Sequence, residues 1–211
     1  MLDAVEVVQP GLVPVRLSDP PALRGEFLVR EGDIVLERFA VEVRLQRESE
    51  RALPEIREVG GRIPRNADQH VSSDGTLCIV QPASFWFHYP EGLTLSEFLQ
   101  GPLQSHLAGQ VLVARGGVWP LGEWGHGAEG VAQSFSEILG AKAPGVLRAL
   151  VAAVAGEWIG GHERCPCGSG RKFRKCHGPV VLKAKRNIPL NVRKDSYVNL
   201  LTDQKASAVN G

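Results

Sequence analysis

At 211 residues with 43% apolar side chains, the chain is long enough to build one full domain plus a small appendage without help from disulfides. Its formal charge of +1 excludes attraction of the protein as a whole to nucleic acid or anionic lipid, so any basic partner surface must be local. The longest apolar run, 146–159, is too short and too interrupted to span a bilayer, and the start Met1-Leu-Asp-Ala-Val-Glu6 lacks a basic secretory segment, so a soluble, cytoplasmic protein is expected.

The first third reads as sheet. Residues 26–30 and 33–46 are apolar runs, and in the second Phe39, Val41, Val43 and Leu45 alternate with Ala40, Glu42 and Arg44, which predicts one buried and one wet face. Gly32-Asp33 supplies a turn between them, and 56–59 adds a strand after Pro54, giving an antiparallel meander. From Gly60 to Gly75 the chain is too polar and turn-rich for a packed element, and the apolar run 77–80 follows it. Helical spacing returns over 95–114, with Thr94 or Ser96 as N-cap, Pro102 as a kink or break, and Gly116-Gly117 as terminator. Further helices are expected over 130–139 and 146–159, and one around 195–205. Strands first and helices after predict an α+β fold and not a doubly wound parallel sheet.

Three of the four cysteines cluster in Cys165-Pro-Cys167-Gly-Ser-Gly-Arg-Lys-Phe-Arg-Lys-Cys176-His177. Three thiolates and an imidazole can close a tetrahedron around zinc without a water, which predicts a structural Zn2+ and not a catalytic one. Gly168 and Gly170 allow the tight reversal that returns the second pair to the first, and Lys172, Arg174 and Lys175 offset thiolate charge. His162 competes as fourth ligand and ranks below His177. These residues resemble the SEC-C motif, found at the C-terminal end of the SecA translocation ATPase and as an appendage of many bacterial proteins. The resemblance implies zinc binding and an interaction surface, and leaves the activity of the host chain open.

Cys78 is left over. A free thiol of pKa about 8.5 is mostly protonated near neutrality, so an active cysteine needs a base, cation or donor array nearby, and His70, Asp74 and His126 are the candidates. The competing reading makes Cys78 a small apolar residue beside Leu77 and Ile79.

The segment His70-Val-Ser-Ser-Asp-Gly-Thr-Leu-Cys78, after a meander and before a helix, looks like the active-site region of ubiquitin-conjugating enzymes. Trp119-Pro-Leu-Gly-Glu-Trp-Gly-His126-Gly127, followed by a helix that ends before Gly140, is similar to the bacterial branch of that family found in antiphage defence (CBASS-type) operons. There, relatives join the C-terminus of a cGAS-like nucleotidyltransferase to a target. The resemblance implies a UBC-like conjugating domain over 1–159, followed by the SEC-C zinc motif over 160–179 and a C-terminal tail over 180–211. It also implies that Cys78 takes the C-terminal glycine of a partner protein as a thioester and passes it to an acceptor lysine.

This chain has His70-Val71-Ser72 where eukaryotic members have His-Pro-Asn, so the donor to the oxyanion is unassigned. Backbone N–H groups of 72–75 or the His126 imidazole are the options. His126 alternatively caps or packs a Gly-rich turn, His70 shapes the loop, Asp74 is first a turn residue, and Trp119 and Trp124 anchor the loop or wall a cleft. No nucleotide-binding glycine pattern is present, so activation of the donor must come from another protein or site, and the zinc module is a candidate for recruiting the donor or its activator. A non-catalytic adaptor is the rival reading, and a cysteine peptidase is a third. No membrane partner is expected from the short apolar runs, and no nucleic-acid partner, because the basic patch Lys183, Lys185 and Arg186 lacks neighbouring aromatics. Gly211 resembles the ends that conjugation systems use.

Overall fold

The computed structural model describes residues 2–46, 51–120 and 125–209. Trp124 and Gly211, both singled out above, lie outside the described residues. The chain divides into two compact units, the first Met1–Val80 with Gly92–Glu123 and the second Gln81–Glu91 with Trp124–Gly211.

The first unit opens with α1 (Leu2–Val8) and a four-stranded antiparallel sheet in the order β1 (Leu12–Pro14), β2 (Ala22–Glu31), β3 (Ile34–Arg44), β4 (Glu55–Glu58). The expected meander is present, and α1 and β1 precede it. Gly32 takes the left-handed conformation that the tight β2–β3 turn requires, with a φ of 57°. Phe27 pairs with Phe39 across the hairpin, and alternation sends Phe27, Val29, Val41 and Val43 inward, all almost fully buried. Gln9 closes the seam beside the bulge at Val29/Arg30: its amide donates to Leu28 O at 3.1 Å and accepts from Leu28 N at 2.8 Å.

The predicted helix over 95–114 is one continuous run in three parts. Thr94 and Glu97 form a reciprocal cap for α3 (Leu95–Phe98), which passes through a π-turn (Leu99–Leu103) into α4 (Gln104–Ala114). Pro102, which has no N–H to give, sits inside the wider turn, and Leu99, Leu103 and Leu107 still reach the core together.

The second unit is helical: α2 (Pro82–His88), α5 (Gly127–Leu139), α6 (Pro144–Ala155), α7 (Gly178–Asn187) and α8 (Leu190–Val209). The segment after residue 180 thus carries most of two helices instead of the single one expected. Val181, Ala184 and Ile188 are buried, and Asn187 donates to Phe87 O at 2.9 Å, tying α7 to α2. Arg193 of α8 donates to Val154 O at 2.8 Å and satisfies a carbonyl near the end of α6. No single helix among the described residues is long and apolar enough to cross a membrane.

Candidate functional site

Cys78 follows a tight reversal built on the edge of β4. Gly75 N donates to Ser72 O and Ser72 N to Thr76 O, both at 2.9 Å, and Gly75 has a φ of 89° that an L-residue adopts only under strain. Asp74 accepts from the Thr76 backbone and hydroxyl, each at 3.1 Å, and pairs with Arg57 of β4 at 3.1 Å. These Thr76 hydrogen bonds, with Arg57 beside them, hold its carboxyl below the usual range. Leu77 N donates to Ile56 O, and Leu77 is buried. The apolar run 77–80 does not extend this pairing into a strand, because Cys78 N turns to His70 O at 2.8 Å. The thiol is left exposed, with Ser72 Oγ at 4.0 Å as its only side-chain polar partner among the described residues.

His70 holds the other limb of this loop. Asn66 caps the short 3-10 turn Ala67–Gln69, and His70 leaves it in the left-handed conformation with a φ of 52°. Its ring turns away from solvent and packs on Trp119, with centroids 4.9 Å apart and the ring of His106 at 6.4 Å. Trp119 rests on Gly109 of α4, where any Cβ would come within 3.1 Å of the indole, and Gln110 donates to Gln69 O. His106 escaped the sequence reading because a single histidine among helix-spaced leucines carries no signal of its own. It is 3% exposed, with Nε2 unpartnered, and burial, reinforced by the charge of His70, pushes its pKa down to about 4.

Cys78, His70 and Asp74 belong to the first unit, whereas His126 belongs to the second. His126 is exposed at the extended N-cap position of α5 and makes no side-chain capping bond there. Of the backbone donors considered for an oxyanion, those of Ser72 and Gly75 are already engaged within the turn.

The second centre is built from 160–178. Phe173 N donates to Glu163 O at 2.8 Å and Cys165 N to Arg171 O at 2.9 Å, so two limbs pair antiparallel around Gly168 and Gly170, both with positive φ. The 3-10 turn Phe173–Lys175 then delivers Cys176 and His177. Gly178 must follow, because a Cβ there would stand 2.8 Å from Phe173 O. One donor atom each from Cys165, Cys167, Cys176 and His177 lies within 4.8 Å of all the others. Cys165 Sγ is 3.2 Å and Cys176 Sγ 3.4 Å from His177 Nδ1, with 3.5 Å between the sulfurs of Cys167 and Cys176. Tetrahedral zinc, with Zn–S of about 2.3 Å and Zn–N of about 2.0 Å, places its ligands about 3.5–3.8 Å apart, so this donor set fits the ion. Hydrogen bonding with the hydroxyl and backbone of Ser169 draws the Cys167 thiol down to about 6, whereas burial pushes that of Cys165 up. His162 is exposed and outside the cluster.

The family model of the SEC-C motif matches residues 163–179, which span this centre. The chain is similar to protein translocase subunit SecA of Aromatoleum aromaticum, 52% identical over 48 residues, or 22% of this chain and 5% of that protein. It is also similar to the SecA subunits of Solibacter usitatus (60% over 25 residues, 12% of this chain and 3% of that protein) and Rubrobacter xylanophilus (73% over 22 residues, 10% and 2%). The chain therefore spans 5% or less of the length of these relatives. No solved structure matches it significantly. The protein carries a SEC-C zinc-type module within an α+β chain.

Proposed function

We propose that the protein is a ubiquitin-conjugating-enzyme-like acyl carrier of CBASS-type antiphage defence, with Cys78 as its acceptor. The observation that carries this reading is the exposed thiol at the end of a loop whose backbone is fixed on both sides, by Leu77 on β4 and by His70 O on the Cys78 amide. An inert packing cysteine would be covered. The element order supports it too: a helix, a four-stranded antiparallel meander, an irregular cysteine-bearing loop, then helices.

The Cys78 thiolate attacks the activated C-terminal glycine carbonyl of a donor protein, the activating group leaves with its electron pair, and a thioester forms. A lysine amine then attacks that carbonyl, an amide replaces the thioester, and Cys78 regains its proton. Asp74 and His70 shape the loop, and donors aimed at the oxyanion stabilise the charge that develops there. The donor is a cGAS-like nucleotidyltransferase ending in glycine, and its activation comes from another protein.

Intact-mass analysis of the protein co-expressed with its operon neighbours tests this. A reductant-sensitive adduct is expected on the wild-type chain, and C78S should replace it with a reductant-stable oxyester or none. An adduct unaltered by C78S contradicts the reading. The second reading, an adaptor that binds partners through its SEC-C module, is favoured by one observation: the only side-chain polar partner of Cys78 among the described residues is a serine hydroxyl. Absence of any adduct on the wild-type chain would favour it.

A further inference from the structure

We propose that the groove between β3 and the end of α4 binds a small anionic heterocycle, a planar ring with an N–H edge that carries a phosphate or carboxylate group, through Arg62, Gln110 and Arg115. The groove lies wholly within the first unit and has a volume of about 500 Å³, the size of a small-ligand site. Its apolar walls come from Phe39, Ile63 and Val111, all buried. The acyl transfer proposed above uses none of these residues.

The polar groups of the groove specify that ligand. Gln110 is 4% exposed, and its amide donates to Gln69 O, but its Oε1 has no hydrogen-bond partner among the described residues. A carboxamide oxygen left bare on a nearly buried side chain that lines a cavity calls for an N–H from an occupant. Arg62 is a fixed platform. Its Nη1 donates to Glu37 Oε1 at 2.9 Å and to Arg38 O at 2.7 Å, and its guanidinium lies over the Phe39 ring, 5.3 Å from the centroid. With one face on Phe39 and the side chain exposed, the opposite face is open to stack on a planar ring. Arg115 is exposed, with no side-chain hydrogen bond or ion pair among the described residues. The hydrogen bond from Arg62, the Arg38 amide and the charges of Arg62 and Arg115 hold the Glu37 carboxyl down to about 2. Glu37 is thus ionised and engaged by Arg62, which leaves Arg115 as the cation available to an anionic group. Water would satisfy Gln110 Oε1 but would leave the apolar walls and the Arg62 face uncovered. A cationic ligand would meet two guanidiniums against one carboxylate, and a purely apolar one would leave Gln110 unpaired.

Isothermal titration calorimetry of the zinc-loaded full chain tests the proposal, with the four common nucleoside monophosphates as phosphate probes and orotate as the carboxylate probe. Saturable one-to-one binding with a micromolar Kd is expected for one of these groups, and the tighter group identifies the anion. R115A should weaken that binding about tenfold and leave the weaker binding of the corresponding neutral nucleoside or base unchanged, which places the anion on Arg115 and not on a basic surface elsewhere. Q110L, which keeps the side chain's size and removes its acceptor, should weaken the charged and the neutral ligand alike, by about tenfold. A wild-type melting temperature shows that each variant is folded; should Q110L not fold, the exposed Arg115 decides alone. No saturable heat with any probe at millimolar concentration overturns the proposal. So does an R115A protein that binds as tightly as the wild type, or one that loses the neutral ligand equally.

Discussion

The sheet and the SEC-C module carry similar cations in opposite ways. Across the sheet, Arg24 and Arg44 flank Glu42 at 3.9 and 2.7 Å, Arg44 and Arg57 flank Glu55 at 3.9 and 2.8 Å, and Arg57 ends the ladder on Asp74 in the Cys78 turn. In the module the cations are exposed, and among the described residues none pairs with a carboxylate. The first arrangement spends its charges inside the unit, one of them on the loop that carries the exposed thiol. The second leaves its charges exposed. The loops differ in the same sense, because the Cys78 turn is closed by the chain's own hydrogen bonds, whereas the four donor atoms of the module have no reason to converge unless an ion neutralises them.

Removing the ion should therefore break one region and spare the other. Structural zinc is worth about 10–16 kcal/mol to small modules of this kind. C176S is expected to abolish stoichiometric zinc and to erase amide-exchange protection over 161–177, with β2 and β3 protected as before. Loss of protection in the sheet as well would show that the two regions do not stand independently.

Acid should act in the reverse direction, on the first unit. The folded pKa of His106, about 4, lies below the usual 6.5, so the folded state binds fewer protons than the unfolded one. The stabilisation of the neutral imidazole is present above pH 6.5 and is lost as pH falls through 4, a total of roughly 3 kcal/mol. Denaturant unfolding between pH 7 and 4 should show this loss, and H106L should flatten it. A smaller effect is expected of G75A, which puts a Cβ at a φ of 89° and 3.2 Å from Glu58 O. It should cost about 1–2 kcal/mol and loosen the Cys78 turn without altering zinc content.

The metal ligands were legible in sequence because they lie within thirteen residues and their chemistry needs that closeness. The hairpin was legible because its alternation and its Gly32 turn are local signals. α2 was not foreseen, since Phe85-Trp86-Phe87 after Pro82 reads as readily as a strand. The Arg57–Asp74 tie and the packing of His70 on Trp119 join residues seventeen and forty-nine positions apart, distances over which single-sequence periodicity is silent. Pro102 marked a break in a helix correctly but not its form, because a π-turn depends on the apolar face continuing beyond it.

The division of the cysteines into one reachable nucleophile and three metal ligands is tested most directly by treating the native, zinc-loaded protein with iodoacetamide and mapping the modified residue by peptide mass. The expected result is a single carbamidomethyl group, on Cys78, with Cys165, Cys167 and Cys176 modified only after chelation. A native protein in which Cys78 stays unmodified, or reacts no sooner than the other three, would contradict the account.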